Sequence, residues 1–263
     1  MSVMPVTRIA MVAPPRSVVV IGVASFRAEP DDSAELVDQA HYGEHVTRLA
    51  ERGDWYFAQG LDLYLGWIRA ADVRAFTSQT PVQRIVAVPL APVRSRPAVD
   101  GAVIDELPAG SVLVRHPAAG DWLEVGDDRY VRLDDTVETT SLPQRYPMGD
   151  DLVATAGSFV GAPYLWGGTS AHGIDCSGLT QQVYRLNGVG LARDADQQAL
   201  GGRPVGRARP GDLFFFGAER VTHTGIATGE TTFIHAPQAG QHVQPGELGP
   251  DRSRLRAIRR YLP

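Results

Sequence analysis

The 263-residue sequence predicts a multidomain chain, two small β-barrels followed by an α+β domain. Three observations point there. The first half repeats itself, it is built of short β-rich stretches with no long run of helical period, and from Asp150 the texture changes to helices followed by strands.

The repeat has an offset of 67 residues: Arg27 falls on Arg94, Gly43 on Gly110 and Trp55 on Trp122. Gly53-Asp54-Trp55 matches Gly120-Asp121-Trp122, and the β-branched pair Val18-Val19 falls on Ile85-Val86. Each copy is broken by Gly, Pro and Asp between stretches such as Tyr64-Leu65-Gly66-Trp67-Ile68 or Val112-Leu113-Val114, which suits small closed barrels. Residues 1–16 are expected as a tail, 17–80 as the first barrel, 81–140 as the second and 141–263 as the α+β domain. Trp55, Trp67 and Trp122 are expected in barrel cores.

Thr139-Thr140-Ser141-Leu142-Pro143 reads as a linker. Beyond it Leu152, Val153, Ala156, Phe159 and Val160 recur at helical spacing until Gly161-Ala162-Pro163 stops the helix. A second helix is expected to start at Asp175-Cys176-Ser177, with Leu179, Val183 and Leu186 on one face and Asn187-Gly188 at its end. Strands are expected over Asp212–Phe216, His223–Thr228 and Thr232–Ala236, and the basic stretch from Arg252 to Arg260 reads as a half-buried terminal segment.

A formal charge of -5 and a pI near 5.8 argue against a nucleic-acid binder and against docking on an anionic membrane. One cysteine excludes an internal disulfide framework, and no apolar run is long enough to span a bilayer. Arg8 and Arg16 before the apolar run Val18–Ala24 resemble an export signal. The recurrence of that run in the second copy favours a folded strand and cytoplasmic residence, with export as the alternative.

The lone cysteine carries the chemistry. A thiol at a helix start meets free N–H groups and partial positive charge that lower its pKa. Cys176 stands there, with Asp175 as N-cap and small residues, Ser177 and Gly178, beside it. A cysteine nucleophile needs a base, and the base needs a third group to fix its tautomer. His223 and His235 lie on consecutive expected strands whose turn near Gly229 places both imidazoles on one face, with Gly225 leaving room. Cys176 then attacks, His223 moves the proton and His235 orients His223. Holding zinc with the same three residues is the competing arrangement, but no compact ligand spacing supports it, so neither metal nor cofactor is expected. His172 and His242 read as loop or surface histidines.

The stretches Asp175-Cys176-Ser177-Gly178, His223-Thr224-Gly225-Ile226 and Ile234-His235-Ala236 resemble the papain-like NlpC family of bacterial cell-wall cysteine peptidases. So do Tyr164-Leu165-Trp166-Gly167-Gly168 and Arg209-Pro210-Gly211-Asp212-Leu213; the likeness covers roughly residues 150–240. Thr224 departs from the family's more frequent Val. The repeated unit, with its GDW…Y…GW pattern, resembles bacterial SH3-like domains. Two such domains before the peptidase resemble γ-D-glutamyl-L-diamino acid endopeptidases, which act on murein peptides. The resemblance implies that Asp175, Ser177 and Asp194 line a pocket for a free L-Ala amine, closed by Glu35 and Tyr64 from the first SH3-like domain. It also implies that the hydroxyl of Tyr164 and the backbone N–H of Cys176 hold the oxyanion. A solvated loop carboxylate among Asp31 and Asp32 is the plainer reading of Glu35. Other functions compatible with these residues are an amidase or acyltransferase on the same fold, or a murein-binding module with an inactive catalytic domain. The sequence leaves oligomeric state open, a monomer being compatible with it.

Overall fold

The computed structural model describes residues 14–76, 83–114, 120–126, 128–144, 146–249 and 253–263. Most of the expected tail and Arg252 lie outside these residues.

The first barrel is one antiparallel seven-stranded sheet running from Arg16–Val19 to Val73–Ala75. Its first strand pairs with both His45–Arg52 and Val73–Ala75. Alternation puts Val19, Ala24, Phe26, Ala40, Val46, Ala58 and Ile68 inside. The apolar run Val18–Ala24 is therefore barrel structure: it supplies the end of the first strand and the start of Val23–Arg27. The second barrel repeats the plan with strands from Gln83–Val86 to Thr136–Glu138, split into a four-stranded and a three-stranded sheet around Val86, Ala91, Val93, Leu107, Leu113, Leu123 and Val131. Gly43 and Gly110 both take positive φ, 75° and 90°, so the same left-handed turn recurs where glycine carries little penalty.

The repeat is not uniform. Strand Trp55–Gln59 matches Trp122–Glu124 at the offset of 67, whereas the 3-10 turn Ala70–Asp72 matches Leu133–Asp135 at an offset of 63. The first copy is thus four residues longer in the intervening hairpin, the segment that carries Asp62 and Tyr64. Trp55 and Trp122 are buried, as expected, but Trp67 is only half-buried and rests on Phe57 with ring centroids 5.3 Å apart.

In the third domain, helices α1 (Gly149–Ser158), α2 (Cys176–Leu186) and α3 (Ala195–Leu200) accompany a six-stranded sheet. Its order is Arg203–Pro204, Leu255–Arg260, Leu213–Phe216, His223–Ala227, Thr232–His235, Gln244–Glu247. α2 is buried along nearly its whole length, with Leu179, Val183 and Leu186 in a core shared with Leu152, Phe159, Leu213 and Phe215. Asn187 ends it and Gly188 follows with φ 84°.

Two further expectations change, one helix was not anticipated, and one segment is better defined. The linker is a 3-10 helix, Thr139–Gln144, whose Leu142 is buried in the third domain's core. Val160, placed on the buried face of α1 by spacing, lies past its end and is exposed. α3 is too short to leave a periodic signal. The basic terminal segment is half-buried, as expected, and forms a strand one place in from the sheet's edge, where Arg260 pairs with the buried Asp212 at 2.7 Å and so makes a charged strand tolerable.

Candidate active site

Cys176 is the first residue of α2, and the cap beneath it is formed as expected. Asp175 Oδ1 accepts the Gly178 N–H at 2.7 Å and the Ser177 hydroxyl at 3.1 Å, and Oδ2 accepts the Gly167 N–H at 2.9 Å. That last bond ties the loop of Tyr164 and Trp166 to the start of the helix.

α2 packs on the strand carrying His223. The Thr224 backbone N–H donates to the Cys176 sulfur, which brings the thiol to the residue next to His223. His223 Nε2 lies 2.8 Å from His235 Nδ1, so Nδ1 of His223 is the ring nitrogen left for the thiol. The strands pair at Ile226 with Ile234, and Gly225 fits where a Cβ would meet the Phe233 ring at 2.8 Å and His235 Cβ at 3.2 Å. The hydroxyl of Thr224, where the family more often has Val, is buried without a partner.

Burial pushes the Cys176 thiol up to about 12, with the Asp175 carboxylate adding to it, and pushes His223 down to about 4, helped by His235. The helix terminus was expected to lower the thiol, but desolvation outweighs it here. The resting pair is therefore a neutral thiol beside a neutral imidazole. Burial and then the neighbouring Cys176 and Asp175 raise Tyr164 to about 12, so it keeps its proton as a donor.

A cavity of about 480 Å³ opens over Cys176. Seven of the nine expected site residues line it: Glu35, Tyr64, Tyr164, Asp175, Cys176, Ser177 and Asp194. His223 and His235 do not line it; they sit on the strands beside α2, within the sheet it packs on. Glu35 is exposed, yet it is not an idle loop carboxylate: it accepts the Trp166 indole N–H at 2.8 Å, across the domain boundary. The Tyr64 hydroxyl donates to Asp194, and burial first, then Asp194, raises Tyr64 to about 12. Asp194 is itself raised, chiefly by burial.

Sequence reasoning missed Arg193. Its side chain is 1% exposed and lies between two carboxylates, donating from Nε to Asp38 at 2.7 Å and from Nη2 to Asp175 at 2.7 Å, with Nη1 on Ser177 Oγ at 3.0 Å. Burial disfavours its charge, and the Asp175 and Asp38 carboxylates more than offset that. Burial also lifts Asp38 well above the usual carboxylate range, with Asp62 adding to it. A chain thus runs from the first barrel through Arg193 to the cap of the cysteine helix. It also commits both oxygens of Asp175, which leaves Asp194, Asp196 and Glu35 as the cavity carboxylates with capacity for a ligand. No local pattern marks such a residue, because Asp38 and Arg193 lie 155 positions apart.

Residues 161–257 match the NlpC/P60 family, and residues 26–73 match the bacterial dipeptidyl-peptidase SH3 domain. The dipeptidyl-peptidase 6 of Lysinibacillus sphaericus is 31% identical, over 88% of this chain and 91% of its own length. The γ-D-glutamyl-L-lysine dipeptidyl-peptidase of Bacillus subtilis is 29% identical, over 78% of this chain and 74% of its own. In fold, the crystal structure of an NlpC/P60 family protein from Bacillus cereus superposes with a TM-score of 0.83 at 23% identity, covering 94% of this chain and 100% of that one. With the lone cysteine, its histidine pair and an SH3-like region ahead of them, this chain belongs to the NlpC/P60 family and is a cysteine-type peptidase.

Proposed function

We propose that this peptidase hydrolyses the bond between γ-D-Glu and an L-diamino acid in peptidoglycan peptides that carry a free L-Ala amine, in cell-wall turnover or recycling. The observation that carries this reading is that Glu35 and Tyr64 of the first barrel line the same cavity as Cys176 and Asp194. Partly desolvated carboxylates favour an ammonium and are left unpaired by a capped N-terminus. A cavity closed by these groups beside the thiol measures a short peptide from its amine. The first barrel, which matches the dipeptidyl-peptidase SH3 domain, supplies that closure, and the names of the two relatives agree with it.

Cys176 sulfur attacks the γ-carbonyl carbon while its proton passes to His223 Nδ1, since the neutral thiol needs a base in the same step. The carbonyl oxygen gains charge and is held by the Tyr164 hydroxyl and the Cys176 N–H, which has no intrahelical acceptor at the first position of a helix. His223 returns the proton to the nitrogen of the diamino acid as the C–N bond breaks. Water then attacks the thioester, giving its proton to His223 and releasing L-Ala-γ-D-Glu and the thiol. Throughout, the bond to His235 keeps the His223 ring oriented.

Mass spectrometry after incubation with L-Ala-γ-D-Glu-L-diamino-acid tripeptide tests the reading. Release of the dipeptide with the free diamino acid is expected. An intact tripeptide would contradict it.

A further inference from the structure

The cavity over Cys176 is unbalanced in charge. Four carboxylates line it, those of Glu35, Asp175, Asp194 and Asp196, against a single cationic side chain among the described residues, that of Arg220. A substrate of the proposed kind carries both signs. A glutamyl residue linked through its side chain keeps its α-carboxylate, only a few covalent bonds from the carbonyl that Cys176 attacks. Among these acidic groups that carboxylate is repelled unless it meets a cation.

Arg193 cannot serve, being buried and committed to Asp38 and Asp175. Arg220 is exposed, forms no ion pair among the described residues, and stands three positions before His223. Its turn is held in place. The Thr222 N–H bonds the Phe216 carbonyl and the Gly217 N–H bonds the Arg254 carbonyl, each at 2.9 Å. A Cβ on Gly217 would come within 1.8 Å of the Arg220 carbonyl oxygen, so the turn closes only on glycine.

Resting on the γ-glutamyl reading above, we infer that Arg220 binds the α-carboxylate of the residue whose γ-carbonyl is attacked, and so sets the preference for glutamate over its α-amide. The amine is read from the barrel side by Glu35 and Tyr64, and the carboxylate from the catalytic domain by Arg220.

The test uses two tripeptides, L-Ala-γ-D-Glu-L-diamino acid and the same peptide with the α-carboxylate as carboxamide. Wild type is expected to favour the carboxylate. Arg220→Gln is expected to lower kcat/KM on the carboxylate substrate by about ten- to a hundred-fold, the range of a hydrogen bond to a charged group, chiefly through KM. It is expected to leave the carboxamide substrate within about two-fold. Arg220→Lys should restore part of the preference, and Arg254→Gln, which removes an exposed cation that does not line the cavity, should retain all of it. An unchanged preference in Arg220→Gln, equal losses on both substrates, or a wild type indifferent to the carboxylate would overturn the role of Arg220 while leaving γ-glutamyl cleavage standing. A wild type that cleaves neither peptide would overturn the γ-glutamyl reading itself, and this inference with it.

Discussion

The two barrels descend from one repeated pattern but meet the catalytic domain in different ways. The first meets it through polar and charged groups: Glu35 with Trp166, Asp38 with Arg193, Gln39 with the Thr169 N–H, His41 with the Thr169 hydroxyl and Asp62 with Gln181. The second meets it through apolar packing, with Ile85 and Ala109 buried in the core built on α1 and α2, joined by the Arg185 bond to the Gly110 carbonyl at 3.1 Å. At the repeat offset Glu35 falls on Ala102 and Asp38 on Asp105, whose carboxylate faces solvent with Arg129. The hairpin holding Asp62 and Tyr64 is four residues longer in the first copy. A duplicated barrel has thus kept its core in both copies while one copy acquired the groups that reach the cysteine. The second copy works as apolar support.

The largest expected difference between the copies is in stability. Asp38→Ala leaves Arg193 short of a buried partner and should cost about 3–5 kcal/mol in denaturant unfolding. Asp105→Ala, the matching change, breaks a partly exposed pair and should fall within about 1 kcal/mol of wild type. Equal costs would mean that the seam through Arg193 is not the stronger tie. On the other side, Ile85→Ala opens a hole in the shared core and should cost about 2–5 kcal/mol, yet leave KM for the free-amine tripeptide near wild type. A raised KM there would end the division between support and recognition.

Acid should loosen the first barrel's seam in particular. Burial pushes His41 down to about 4, so the folded state holds it neutral. Below pH 6.5 the unfolded chain binds a proton that the folded chain refuses. Stability is therefore complete above that value and is lost as pH falls from 6.5 toward 4, at about 1.4 kcal/mol per unit. Unfolding midpoints measured across that window should slope less in His41→Gln than in wild type; identical slopes would remove His41 from the account. In catalysis the same direction applies to His223, lowered to about 4, and to His235, also lowered by burial. The acid limb of kcat/KM is expected well below the ordinary histidine range, since a protonated His223 cannot accept the thiol's proton.

Much of the chemistry was legible because it is local. Asp175, Cys176 and the small residues after them mark a helix start, and His223 and His235 sit on strands whose turn fixes their register. The burial of Leu179, Val183 and Leu186 follows from spacing alone. What escaped depends on partners far away in sequence. Arg193 reads as one more charged residue until Asp38 is beside it, and the half-buried terminal segment is not recognisable as a sheet strand until Asp212 neutralises Arg260. The thiol's pKa escaped for a related reason. A helix start is visible in sequence, but the burial that outweighs it is a property of the assembled cleft.

The central claim is that the first barrel lends Cys176 a site for an amine. It is tested most directly by kcat/KM for L-Ala-γ-D-Glu-L-diamino acid with a free and with an acetylated amine, in wild type and in Glu35→Ala. The account predicts that acetylation costs wild type about a hundred-fold, as expected when partly buried charged groups lose their partner, and that Glu35→Ala narrows the gap. Equal cleavage of the free and acetylated peptides by wild type would contradict it.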